Sequence, residues 1–216
     1  KVDFKDALYV ALQDPSNPAS TQNLQRGSGV LLSGTSKVFT QGTPIGTGKE
    51  TDLYIDGEGF FAVQAPDGNT YYTRDGNFSK SVEAGGTYLT TAKGYYVLDT
   101  NGQKIALQGD SMLVSGSGQI SANANSAPYA TLQMVTFPNQ QGLTAVTDNL
   151  FAQSASSGEP AAAGTGTQVL QNTLEGSNVN LGTELTRLMR AQRAFSLASR
   201  ALTTADEMDN YAISMR

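Results

Sequence analysis

Two patterns divide this chain. From Leu181 to Met215, apolar or small residues fall mostly three and four positions apart: Leu181, Leu185, Leu188, Phe195, Ala198, Leu202, Ala205, Met208, Ala212 and Met215, with polar Gln192 interrupting. That is the period of an α-helix. The stretch has no proline, and its one glycine, Gly182, stands at its start. Asn180 is the predicted N-cap, and Glu184 lies in the first turn, at the positive end of the helix dipole. A helix over 181–215 reaches about 52 Å, longer than the usual globular helix and suited to a coiled coil or helical assembly.

Upstream, short runs rich in Tyr, Phe, Val and Thr are broken by turn residues. "DLYI", "FFAVQ" (60–64), "TYYTR" (70–74), "TYLTT" (87–91), "YYVLD" (95–99) and "KIALQ" (104–108) alternate with "DGEG" (56–59), "PDGN" (66–69), "DGN" (75–77) and "TNG". Asp-Gly and Asn-Gly suit hairpins because both central residues of a type I′ turn need positive φ. Further strands are expected in 112–122, 129–137 and 149–153. Turns every 8–12 residues predict an irregular β sandwich or barrel-like domain.

The expected organisation is a short helix or extended arm over 1–13, a loop over 14–30 and irregular strands to 51. A central all-β domain follows over 52–153, then a flexible linker or long surface loop with a return strand over 154–180, and an assembly helix over 181–216. No repeat of fixed period is present.

Composition narrows the function. Charged residues make up 15%, against about 25% in ordinary domains, so the polar surface is largely Ser, Thr, Asn, Gln and Gly. Such a surface suits an extracellular or envelope protein with broad uncharged contacts. The net charge of −5 argues against nucleic acid and anionic membrane as partners. With no cysteine and no histidine, disulfides, thiolate metal sites and the commonest general base are excluded. No run of 18 apolar residues is present to span a membrane.

Candidate chemistries are weak. Asp56, Glu58, Asp67 and Asp75 are close in sequence, as a glycosidase needs, but each belongs to a Gly-containing turn where Asp serves local hydrogen bonding. "DTNG" (99–102) opens like a calcium loop but lacks the later ligands, so a hairpin turn is expected. Ser36-Lys37 and Ser79-Lys80 would point to opposite strand faces, and the glycines near 116 lack the Lys of a phosphate loop. Tyr71, Tyr72, Tyr88, Tyr95 and Tyr96 offer a sugar platform, but half-buried strand tyrosines are the commoner outcome. Arg187, Arg190, Arg193 and Arg200 lie mainly off the apolar stripe and read as a solvated face.

"DLYIDGEGFFAVQAPDGNTYYTRDGNFS" (52–79) resembles the signature block of bacterial flagellar rod and hook proteins, carried here by Asp56, Gly57, Gly59, Phe60, Phe61, Arg74, Gly76, Asn77 and Phe78. "GSNVNLGTELTRLMRAQRAFSLASRALTTADEM" (176–208), with Asn178 and Val179, resembles their C-terminal segment, and 37–61 fits as well. Together these cover about half the chain, in order. "SVEAGGTYL" (81–89) departs from the family's usual turn. The resemblance implies an N-terminal helix paired with the C-terminal one in a coiled coil, subunits stacked by these helices into a tube, and β domains outside. It makes Leu181, Leu185, Leu188, Gln192, Phe195, Leu202 and Met208 the expected assembly interface.

The implied protein is structural, not an enzyme. It takes no cofactor, metal, nucleic acid or small-molecule substrate and does not insert into a membrane. It assembles with itself into a helical axial polymer and with other rod and hook subunits. It sits in the flagellar basal body, exported without a cleaved signal peptide. "FKDALYVALQDP" (4–15) resembles the segment that distal rod members carry after their first helix, which favours the distal rod over the proximal rod or hook. A start at Lys1 fits a fragment whose N-terminal helix precedes it. The reading of another class is a surface adhesin or carbohydrate-binding β domain.

Overall fold

The computed structural model describes residues 2–6, 10–11, 25–26, 29–35, 37–109, 111–147, 149–164 and 166–215. Its contacts separate two units, Lys1–Glu175 and Gly176–Arg216. The first is built of strands in several sheets, and the second carries the helix Leu181–Ser214. The sheets stay open and are not closed into a barrel.

The centre of the first unit is the strand Phe60–Gln64. It pairs antiparallel with Thr70–Thr73 on one edge. On the other edge two short strands share it, Met134–Thr136 beside Phe60 and Phe61, and Tyr96–Val97 beside Val63 and Gln64. Alternate side chains of a strand point to opposite faces. Phe61 and Val63 therefore enter one core with Leu53, Ile55, Phe78, Leu89 and Val169. Phe60 and Ala62 enter another with Tyr72, Phe137 and Phe151. A strand buried on both sides needs a continuous apolar run, which "FFAV" supplies. Phe61 meets Phe78 edge-to-face at 5.2 Å, and Phe60 meets Phe137 at 6.0 Å and Phe151 at 5.8 Å.

The Asp-Gly and Asn-Gly turns form where the sequence puts them. Asp67 accepts from the Asn69 amide at 3.0 Å, Asp75 from the Asn77 amide at 3.0 Å, and Asp99 from the Asn101 and Gln103 amides at 2.9 Å. Gly57, Gly68 and Gly102 take the positive φ these turns demand. Several strands are shorter than their apolar runs: 95–99 keeps Tyr96–Val97 and 104–108 keeps Ala106–Leu107. Lone bridges, Leu98 to Lys104 and Asp99 to Leu132, take over beyond them.

The arm expected over 1–13 contains the strand Val2–Asp6, antiparallel to Val30–Thr35, and Val10–Ala11 pairs with Gln25–Arg26. Most of the loop expected over 14–30 lies outside the described residues. The stretch 154–167 is a loop with fixed points. Ser157 is fully buried, and Ala161–Ala162 pairs with Val135 and Thr136.

The return segment makes two successive pairings. Gln168–Gln171 pairs with Leu53–Asp56, and Thr173–Glu175 pairs with Pro44–Gly46. Between them Asn172 takes φ +59°, and its carbonyl accepts from the Thr47 and Gly48 amides. A left-handed residue here lets one strand change partners without losing those bonds, and Asn tolerates that conformation better than most.

Candidate functional site

The motif residues of 52–79 come together at a junction of three segments: the turn after Leu53–Asp56, the turn after Thr70–Thr73, and the return strand ending at Glu175. Arg74 is the hub. Its Nε donates to Glu175 Oε2 at 3.0 Å and an Nη donates to the Gly57 carbonyl at 3.2 Å. Both partners of the ion pair are largely buried, at 13% and 16% side-chain exposure, so the pair is shielded from water and salt. The other oxygen of Glu175 accepts from the Gly42 amide at 2.8 Å. The last strand residue of the first unit is thus bound to both turns and to the strand that precedes them.

The glycines are here for steric reasons. Gly57 has φ +117°, and a Cβ on it would press on the Thr167 backbone at 3.3 Å. A Cβ on Gly76 would lie 1.6 Å from the Leu53 carbonyl oxygen. Gly76 in turn accepts from the Leu53 amide at 3.1 Å. Asn77 bridges to Asp52 and its side chain accepts from Lys49 Nζ, which also donates to the Phe78 carbonyl at 2.7 Å. Gly59 stands 3.7 Å from Ile55 by the same construction, and Asp56 is exposed, its carboxylate accepting from Gln41.

Three further polar residues complete the junction and carry no sequence signal of their own. Gln171 donates to the Glu50 and Met112 carbonyls at 2.7 Å and accepts from the Val114 amide at 3.1 Å. Glu50 pairs with Lys80, and that hydrogen bond holds its carboxyl below the ordinary range against the opposing effect of burial. Glu175 is the third.

Of the carboxylates weighed for catalysis, Asp67 and Asp75 are engaged in their own turns and Asp56 with Gln41. Asp67 is held below its usual range by the Asn69 side chain and amide. Among the described residues, no three Asp or Glu groups come together to hold a metal ion. The tyrosines divide: Tyr72 is buried, and Tyr71, Tyr88, Tyr95 and Tyr96 are half-buried.

In the second unit Asn180 caps the helix, its Oδ1 accepting from the Thr183 amide at 3.1 Å. Before it, Val179 is exposed. No residue of the helix is buried, and Leu181, Leu188, Phe195 and Met208 are all more than half exposed. Arg187 pairs with Glu184 at 2.6 Å. At about 100° per residue, Leu181, Leu185, Leu188, Gln192 and Phe195 share one face, with Leu202 at its margin. Met208 lies about 120° round from Leu202 and opposite Leu181. The helix therefore gathers six of the seven expected interface residues on one side and places Met208 on another. No helix of the described residues is long and apolar enough to cross a membrane.

Comparison with known proteins gives one consistent answer. Residues 54–122 match the family described as flagellar hook protein FlgE/F/G D1 domain. Residues 170–215 match the family described as flagellar basal body rod FlgEFG protein C-terminal. Flagellar basal-body rod protein FlgG of Agrobacterium fabrum is 35% identical over 96% of this chain and 83% of its own length. FlgG of Bacillus subtilis is 34% identical and FlgG of Caulobacter vibrioides 32%, over the same shares. The first matched region holds Gly57, Arg74 and Gly76 of the junction, and the second begins inside the return strand, holds Gln171 and Glu175, and runs through the helix.

Proposed function

The chain belongs to the FlgG family of flagellar basal-body rod proteins, and we propose that it is a structural subunit of the rod, with the helix as its assembly element. One observation supports this most: a helix of 34 residues with an unburied apolar face follows a β unit whose own cores are complete without it. Leaving Leu181, Leu185, Leu188, Phe195 and Leu202 in water costs about 1.5–3 kcal/mol each relative to burial. That cost is recovered when the face meets other helices, as in a coiled coil. The junction around Arg74 and Glu175 then acts as the anchor of the strand from which the helix unit departs.

The subunit works by assembly with its own copies and with other rod and hook subunits in the basal body. It carries no catalytic role, needs no cofactor and is exported without a cleaved signal. The distal rod is the expected position, from the resemblance of 4–15, a segment largely outside the described residues. Phe195→Asp tests the reading in cells. It should abolish incorporation into basal bodies and motility while the purified variant keeps the β-type circular dichroism of the parent. Normal incorporation would remove the helix as the assembly element.

A further inference from the structure

Three turns of the β unit meet around a small cavity that the Arg74–Glu175 pair does not line. One follows Thr70–Thr73, one follows Gly86–Thr91, and one joins Thr144–Thr147 to Leu150–Ala152. The cavity measures about 150 Å³. Thr73 and Leu150 are its buried floor, and Asp75, Asn77, Lys93 and Asn149 stand exposed at its mouth. Asn149 Nδ2 donates to Asp75 Oδ2 at 3.0 Å, so two turns distant in sequence hold each other in place. The third is closed on itself: the Gly94 amide donates to the Thr91 carbonyl at 2.9 Å, and the Tyr95 amide to the Thr91 hydroxyl at 3.1 Å.

The lining is mixed in chemistry and balanced in charge. Among the described residues that form it, Asp75 is the one carboxylate and Lys93 the one cation. That balance favours neither an anionic nor a cationic ligand. Asp75 accepts from the Asn77 amide at 3.0 Å and from Asn149, and its carboxylate keeps further lone pairs. Among the described residues, the Asn149 carbonyl oxygen, the Asn77 side-chain N–H groups and the Lys93 ammonium make no hydrogen bond. The Thr147 hydroxyl is buried beside the cavity, also without a partner. Donors and acceptors thus stand together round a space whose apolar lining includes the Tyr95 ring, Leu150 and Ala92. A cavity of this volume takes one six-membered ring. A bare hydrocarbon ring would strand the polar groups, whereas a ring carrying hydroxyls satisfies them.

We propose that the cavity binds one pyranose ring of a neutral glycan, with Asp75, Asn149 and Lys93 bonding its hydroxyls and Tyr95 covering its C–H face. Ligand pockets commonly combine an aromatic wall with a few placed polar groups. Of the five tyrosines weighed as a sugar platform, Tyr95 alone lines the cavity, its ring centroid 6.5 Å from that of Tyr71. The sugar is held and not cleaved, because glycoside hydrolysis takes two carboxylates. The site belongs to the β unit and is independent of the rod reading. Saturation-transfer NMR and calorimetric titration of the purified chain with glucose, galactose, mannose and N-acetylglucosamine test it. At least one sugar should bind with a millimolar Kd, as suits a ligand of about a dozen heavy atoms in an open site. Lys93→Ala and Asn149→Ala change exposed residues and should each weaken that binding about tenfold while the unfolding midpoint holds. Lys104→Ala is the control: Lys104 stands over the Tyr96 ring and lines no part of the cavity, so this variant should bind like the parent. Failure of all four sugars to bind, binding that Lys93→Ala and Asn149→Ala leave unchanged, or an equal loss in Lys104→Ala would overturn the proposal.

Discussion

Gly76→Ala is the sharpest test of the junction. Gly76 lies outside the left-handed region, so its identity is not a matter of dihedral freedom. The reason is space: an added Cβ would sit 1.6 Å from the Leu53 carbonyl oxygen and 2.7 Å from its carbon. Reaching ordinary contact needs the two backbones to part by about 1.8 Å. That breaks the bond from the Leu53 amide to the Gly76 carbonyl, at about 1–3 kcal/mol for a buried pair. It also draws Leu53, fully buried, out of the core it shares with Ile55 and Phe61, for about 2 kcal/mol more. The stiffer unfolded chain returns less than about 1 kcal/mol. The net loss is about 3 kcal/mol, or a fall of roughly 1.5 M in the urea midpoint at a slope near 2 kcal/mol/M. The signal is near-ultraviolet circular dichroism of the nine tyrosines, the chain having no tryptophan. Gly116→Ala is the control, because nothing lies within 4 Å of a Cβ there, and it should stay within about 0.5 kcal/mol of the parent. Equal midpoints for the two variants would refute the steric account.

Other expectations rest on the same contacts. Glu175→Ala should cost about 2–3 kcal/mol by urea unfolding, because it strands a largely buried guanidinium and the Gly42 amide, whereas Glu175→Gln should cost less; equal losses would mean that the Arg74 pairing contributes nothing. Glu50 has a lowered folded pKa, so its stabilisation is present above its unfolded value and is lost as pH falls through the folded one. Glu50→Gln should therefore flatten the decline in stability below about pH 4.5, by less than about 1 kcal/mol for so exposed a pair, and an unchanged acid slope would contradict this. Asn180→Ala should weaken the helix start by about 1 kcal/mol, read as faster amide exchange at Thr183 with the middle of the helix unchanged.

How much the chain discloses of itself depends on how local each feature is. The Asp67, Asp75 and Asp99 turns and the Asn180 cap were legible because side chain and backbone partner are two to four residues apart. The strand at Phe60–Gln64 was legible, but its burial on both faces, which four adjacent apolar residues allow, was not drawn from them. Glu175, Gln171 and Asn172 were not legible, because their partners lie about 60 to 130 positions away and nothing near them marks the encounter. The pairing of Ala161–Ala162 was hidden by a composition that reads as loop. The helix was legible but its faces were not. A stripe traced by steps of three and four tolerates drift, and consecutive steps of three from Leu202 through Ala205 carried it onto the far side at Met208.

The most direct test of the account is where the protein resides. Mass spectrometry would compare two fractions from the source bacterium, detergent-extracted basal bodies and sheared filament–hook material. A rod subunit should be enriched with the basal bodies. Enrichment with the sheared hooks would make it a hook subunit, and absence from both fractions would contradict a role in the flagellar axis altogether.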